Sequence, residues 1–287
     1  MVQVTVLTSF AVLAATAWAS IPALSGYSVV WSEDFNGASG DPVSNANWDQ
    51  MVRSRFKNDN NEEQEYVGTS DVAHLSGDGQ LYIIPKKQAA GYFTSARLSS
   101  KATFHCPIGK ALVIQAEIRV PDFTNAPAQY AGLWPAFWTL GQSIRVAGGN
   151  GWPKCGEFDI LEVATTLTNK NQGTLHYEWT NGQHRSSSNQ IIYSGGDYHT
   201  WAIKIDRRNS DWTQQTLTWY RDGTAFHTVT GGQINDFSVW ELLAYKSHFV
   251  ILNMAVGGNF SGPPTSNTLG GFDSSMRVRY VAAYESN

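Results

Sequence analysis

The chain has 287 residues, a formal charge of −4 and a pI near 6.0. That balance gives no electrostatic pull toward nucleic acid or an anionic membrane, whose recognition rests on clustered Lys and Arg. The length suits one all-β domain with no need for a second core, and aromatic residues at 13% are enough to line a stacking surface as well as a core.

At the N-terminus, residues 4–17 are apolar and uncharged, and Ala17-Trp18-Ala19 fits a small-x-small cleavage site. The run is short for a membrane span. Residues 1–19 are therefore expected to be a secretory signal, and residues 20–287 a single secreted domain, extracellular or wall-associated and monomeric.

Short β-type runs then alternate with turn residues nearly to the end. Strands are expected over 29–35 and 81–84. Residues 111–120 form a longer one, with Leu112, Ile114, Ala116 and Ile118 on one face and Val113, Gln115, Glu117 and Arg119 on the other.

Next comes Glu157-Phe158-Asp159-Ile160-Leu161-Glu162. Side chains alternate along a strand, so Glu157 and Asp159 share a face. Glu162 joins them only if Ile160 and Leu161 together oppose one partner residue, which is a β-bulge. Two carboxyls about 5–5.5 Å apart across a sugar ring are what a retaining glycosidase uses. On a flat strand Glu157 and Glu162 start on the order of 13 Å apart at Cα, so curvature and leaning side chains must close the gap. Asp159 between them helps hold their pKa values apart. From the residues alone, a calcium site and a solvated acidic face stay open.

Further strands are expected over 201–205, 216–220, 225–229, 249–256 and 276–284. Arg221-Asp222-Gly223-Thr224 makes a hairpin turn, and one helical turn is expected near 237–245. The whole reads as a sandwich or jelly roll. Cys106 and Cys155 are the two cysteines, and their pairing is open in either direction. A thiol nucleophile is not expected beside a better-matched carboxylate pair.

Seven segments in register carry a resemblance to a known family. They are Trp31-Ser32-Glu33-Asp34-Phe35-Asn36-Gly37, Asn60-Asn61-Glu62-Glu63-Gln64-Glu65-Tyr66, Thr94-Ser95-Ala96-Arg97-Leu98 and Gly132-Leu133-Trp134-Pro135-Ala136-Phe137-Trp138. Trp152-Pro153-Lys154-Cys155-Gly156 precedes the acidic strand, and Gly173-Thr174-Leu175-His176-Tyr177 and Leu252-Asn253-Met254-Ala255-Val256-Gly257-Gly258-Asn259 follow it. Together they resemble glycoside hydrolase family 16, in particular its laminarinase-like endo-β-1,3-glucanases. The paired Ile160 and Leu161 place the chain with the bulged members rather than with lichenase-like or xyloglucan-transferase-like relatives.

The resemblance implies a curved β-jelly-roll sandwich of two antiparallel sheets with a substrate cleft on the concave one. It implies Glu157 as nucleophile, Glu162 as acid/base and Asp159 as auxiliary acid, with no cofactor. Trp134, Trp138 and Trp152 match cleft-lining positions, where an indole face suits a glucose ring. As ordinary residues two of the three would be core, Trp138 first. Asn61 and Arg97 match sugar-holding groups; a turn residue and a surface salt bridge are their alternatives. His176 matches a cleft histidine, against a plain hydrogen-bonded core role, and Glu62 is expected to face the same cleft.

Two departures stand out. Relatives place calcium with an Asp where this chain has Arg279, and a guanidinium ligates no metal. No metal site is therefore expected, and Arg279 is expected to pair with Asp34 or Glu33. Asn259-Phe260-Ser261 is a glycosylation sequon, expected to stay largely unmodified because the family's matching segment borders the cleft. The expected substrate is β-1,3-glucan polysaccharide, with mixed β-1,3/1,4-glucan beside it. A non-catalytic glucan-binding protein, a wall transglycosylase and a β-1,3-galactan hydrolase are the rivals.

Overall fold

In the computed structural model, residues 21–55 and 59–287 are described; the expected signal over 1–19 lies outside them. Alternation decides the architecture. In Ala111–Arg119, Leu112, Ile114, Ala116 and Ile118 enter the main core, while Gln115, Glu117 and Arg119 stay half-buried on the other face. That strand lies in an eight-stranded antiparallel sheet whose order runs Thr224–Thr230, Thr216–Arg221, His199–Asp206, Ala111–Arg119, Met276–Ser286, Leu81–Ile83, Ala73–Leu75. Tyr27–Glu33 adds to Met276–Ser286 beside this path.

The second sheet has seven strands in the order Gln183–Ile192, Lys170–Trp179, Glu157–Glu162, Leu133–Gly141, His248–Val256, Arg97–Ser100, Trp48–Gln50. Its inward residues, among them Leu98, Leu133, Phe137, Phe158, Leu175, Leu252 and Met254, join one core with Ile114, Ile203, Leu217 and Val278 of the first sheet. This is a two-layer sandwich, and its outer faces are set by the same period of two. A small third sheet, Glu65–Tyr66, Phe93–Ser95 and Lys86–Lys87, includes one parallel pair.

The helical turn near 237–245 is Phe237–Ala244. Asp236 caps it, its Oδ1 accepting from Val239 N–H at 3.2 Å, and Val239, Trp240, Leu243 and Ala244 are its buried face. Gln183–Ile192 escaped the sequence reading because its run of Ser, Asn and Gln lacks a hydrophobic stripe. It is an edge strand and needs none.

Arg279 does not reach Glu33 or Asp34. The register of Met276–Ser286 against Ala111–Arg119 shifts between Val278 and Tyr280, so Val278 and Val281 both enter the core while Arg279 turns out. Its guanidinium donates to Glu117 Oε1 at 2.9 Å and lies 3.8 Å over the Tyr198 ring. Glu33 instead accepts from Asn47 Nδ2 at 2.7 Å and from Trp48 Nε1 at 3.3 Å. The two cysteines are unbridged: Cys106 donates to the Ile205 carbonyl at 3.4 Å, and Cys155 packs with Leu140, Phe249 and Ile251. Burial pushes the Cys106 thiol up to about 11 and the Cys155 thiol up to about 12, so neither is a nucleophile.

Candidate active site

The bulge in the acidic strand is present. Leu140 pairs with Glu157 and Trp138 with Asp159, but Phe137 pairs with Leu161 and Ala136 with Glu162, leaving Ile160 as the extra residue. Phe158, Ile160 and Leu161 all enter the core. Glu157, Asp159 and Glu162 therefore stand on one face, opposite Leu140, Trp138 and Ala136 of Leu133–Gly141.

A bulge frees backbone groups that must find partners. The ladder to Lys170–Trp179 stops at Asp159 opposite Thr174. Beyond that point the buried amide of Asn171 substitutes for a strand. Its Oδ1 accepts from Glu162 N–H at 2.8 Å and its Nδ2 donates to the Ile160 carbonyl at 3.2 Å. From the opposite sheet, Trp219 Nε1 donates to the Asp159 carbonyl at 2.8 Å. The backbone under all three acids is thus fixed on both sides.

These carboxyls lie in a cleft of about 710 Å³. Its floor takes residues from one face of neighbouring strands: Trp134, Ala136, Trp138 and Leu140; Phe249, Asn253 and Ala255; Arg97 and Ser99. Arg53, Asp59, Asn60 and Glu62 form one wall. Ile144, Arg145, Gly149 and Trp152 of the connection after Leu133–Gly141 form another. That connection leaves and returns at one point, because Gly141 N–H bonds the Gly156 carbonyl at 3.0 Å and a Cβ on Gly141 would sit 1.9 Å from the Cys155 carbonyl oxygen.

The expected residues fall as follows. Glu62, Arg97, Trp134, Trp138 and Trp152 line the cleft. Trp138 is half-buried and belongs to the cleft floor; its Nε1 donates to Asn253 Oδ1 at 2.7 Å and Arg97 lies 4.6 Å over its ring. His176 sits over the acids, its Nε2 3.2 Å from Asp159 Oδ2 and 4.0 Å from Glu157 Oε1. Asn61 is exposed and ties Asn259, donating to its Oδ1 at 2.9 Å, while its neighbours Asn60 and Glu62 line the cavity.

A polar network not foreseen from sequence holds the Glu62 side. Glu62 Oε2 accepts from Gln64 Nε2 at 2.7 Å and from Tyr66 OH at 3.2 Å, and Tyr66 OH accepts from Asn253 Nδ2 at 3.3 Å. Gln64, Tyr66 and Asn253 all lie inside recurring motifs, but only the fold shows that their side chains meet.

The two glutamates share a raised pKa but differ in what opposes the rise. Burial first, and Asp159 second, push Glu157 well above the ordinary carboxyl range; Arg97 and the Trp152 indole N–H, which donates to Glu157 Oε2 at 3.1 Å, pull the other way. Glu162 is pushed well up by burial, then by Asp159 and Glu157, and is opposed only by the Trp134 N–H, which donates to Oε1 at 3.1 Å. Burial raises Asp159, and His176 opposes it. Three buried carboxyls this close do not all ionise. Glu157 has both the Arg97 charge and an indole N–H opposing its rise, whereas Glu162 has an indole N–H alone. Glu157, Asp159 and His176 offer ligand atoms within 4.8 Å of one another.

A two-layer β-sandwich with paired carboxyls and indoles lining an open cleft defines a glycoside hydrolase. Residues 63–235 match the model of the XgeA-like catalytic GH16 domain. An endo-1,3-beta-glucanase from Streptomyces sioyaensis superposes with a TM-score of 0.80 and 30% identity, covering 93% of this chain and 99% of that one. A glucan endo-1,3-beta-glucosidase from Cryptopygus antarcticus is 28% identical over 90% of this chain and 92% of its own length. The clotting factor G alpha subunit of Tachypleus tridentatus is 28% identical over 90% of this chain, which spans 34% of that protein. The chain belongs to glycoside hydrolase family 16.

Proposed function

We propose that this chain is a secreted, retaining endo-β-1,3-glucanase of the laminarinase type, acting as a monomer and without a cofactor, with mixed β-1,3/1,4-glucan as a second substrate. The observation that carries the reading is the bulge at Ile160, which puts Glu162 on the face of Glu157, with the Arg97 charge favouring the anion at Glu157 and no such cation acting on Glu162. Ionised Glu157 attacks the anomeric carbon while Glu162 gives its proton to the departing glycosidic oxygen. Water then opens the glycosyl-enzyme, and Glu162 takes the proton back. Asp159, between them, holds a charge balance in which one glutamate is anionic and the other neutral. His176 and Arg97 support the anion at the nucleophile.

The cleft lies across several strands of one sheet, which suits attack within a polymer, and the indoles of Trp134, Trp138 and Trp152 supply sugar-stacking faces. The names carried by the Streptomyces and Cryptopygus relatives support β-1,3-glucan as the polymer. Large exposed apolar side chains such as Val52, Ile108, Val146 and Ile192 come from separate segments, which supports the monomer. The test is release of reducing ends from laminarin by the wild type and by Glu157→Gln. Oligomers from an endo pattern in the wild type alone are expected. Laminarin binding without cleavage would replace the enzyme by a glucan-binding protein, products longer than the substrate would indicate transfer, and cleavage of β-1,3-galactan alone would change the polymer.

A further inference from the structure

Beyond the three acids, a second histidine stands behind His176. On the edge strand Gln183–Ile192, His184 reaches diagonally across the ladder, and its Nε2 lies 2.9 Å from His176 Nδ1. The other nitrogen of His176 faces Asp159 at 3.2 Å. Trp152, whose indole N–H is bonded to Glu157, packs 4.7 Å from the His184 ring and 6.0 Å from His176. Two lines of contact, one from Asp159 through His176 and one from Glu157 through the packed Trp152 ring, therefore meet at His184.

An imidazole with both nitrogens engaged has its tautomer set by its partners. The buried Asp159 Oδ2 has no other partner and lies 3.2 Å from Nε2, so the proton of a neutral His176 belongs on Nε2. Its Nδ1 is then a lone pair and needs a donor, which only an Nε2–H on His184 supplies at 2.9 Å. We infer that His184 is a positioning residue: by donating Nε2–H to His176 Nδ1 it fixes the tautomer that faces Asp159, and with Trp152 it holds the indole against Glu157. Partial desolvation, and then the neighbouring His176, keep His184 below the ordinary imidazole pKa, which favours the neutral ring this donation requires. Glu178 lies opposite His184 across the ladder.

The inference rests on the hydrolase reading for its kinetic consequence and on geometry alone for the tautomer, so the two are tested separately. Long-range ¹H–¹⁵N spectra of the uniformly labelled, full-length protein report each imidazole nitrogen. The wild type is expected to show His176 protonated at Nε2 with Nδ1 as a hydrogen-bonded acceptor. His184→Ala is expected to turn this into a mixture of tautomers, and His184→Gln, whose amide nitrogen occupies the place of Nε2, is expected to restore it. On laminarin, His184→Ala lowers kcat on the order of tenfold with KM little changed, and His184→Gln recovers most of the loss. Unaltered His176 nitrogen shifts in His184→Ala overturn the proposal, as does a change confined to KM. A wild type with the expected spectra but no action on any glucan would overturn the hydrolase reading and uphold the tautomer assignment.

Discussion

Asn171 is the residue on which the placement of Glu162 depends most directly. Its side chain is fully buried and both ends of its amide are committed to the bulge, one accepting from Glu162 N–H and one donating to the Ile160 carbonyl. Asn171→Leu keeps the volume and removes both partners, leaving one backbone donor and one acceptor buried and unpaired. Each such group costs about 1–3 kcal/mol, so the loss is about 2–6 kcal/mol, a large part of the ~5–15 kcal/mol stability of an ordinary domain. Asn171→Ala leaves a polar gap that a water fills, bonding the same two groups, and is expected to lose less than the leucine variant. Urea unfolding followed by tryptophan fluorescence gives the midpoints, and laminarin hydrolysis gives kcat for whatever fraction is folded. The expected order is wild type, then Ala, then Leu, in both midpoint and kcat, with KM least affected. A leucine variant as stable as the alanine one, or a folded leucine variant with wild-type kcat, would refute the argument that this amide holds the acid/base in place.

Three further outcomes follow from the same geometry. Glu157→Gln folds normally and loses on the order of 10⁴-fold or more in kcat, measured as reducing ends from laminarin against circular dichroism of the same sample; a folded variant with residual activity above that level removes Glu157 from the nucleophile's place. Glu162→Gln is more stable than the wild type at neutral pH. A carboxyl whose folded pKa is raised contributes its stability below the unfolded value of about 4.3 and loses it as pH rises through the folded one, so the advantage of the variant shrinks on acidification; a gap in urea midpoints that is constant with pH contradicts this. The two indoles act on opposite limbs of the kcat/KM profile: Trp152→Phe deprives ionised Glu157 of a donor and moves the acid limb to higher pH, whereas Trp134→Phe does the same to Glu162 and moves the alkaline limb to higher pH. Movement of either limb to lower pH contradicts the assignment of roles.

Much of this was legible in the chain itself. A period of two in residues 111–120 gave the correct core face, and Ile160 beside Leu161 gave the bulge, because a strand with carboxylates at 157, 159 and 162 and apolar residues between them places all three on one face in no other way. The partners were not legible. Arg279 was paired with the wrong acid because a second register shift, between Val278 and Tyr280, leaves no mark in a run of Val and Arg. The strand Gln183–Ile192 was overlooked for its polarity, and with it His184, whose link to His176 spans a diagonal of the ladder.

The contrast has a physical basis. Which face a side chain takes is a local property, decided within a few residues by strand geometry and by the cost of burying a charge. Which group it meets on that face depends on register, and register is fixed by the whole sheet. Glu162 shows the two together. Its direction follows from the bulge in its own strand, but the energy holding it there comes from Asn171 on the next strand, and the burial that raises its pKa is opposed by the Trp134 N–H across the sheet. Regular pairing of all six residues, with no bulge, would turn Glu162 toward the core among Phe137, Phe158 and Leu252, where an unpaired carboxyl costs several kcal/mol, whereas deletion of Ile160 would restore strict alternation and keep Glu162 on the cleft face without a bulge. Given the extra residue, the bulge is therefore the arrangement that presents the acid to the cleft and keeps a charge out of the hydrophobic layer.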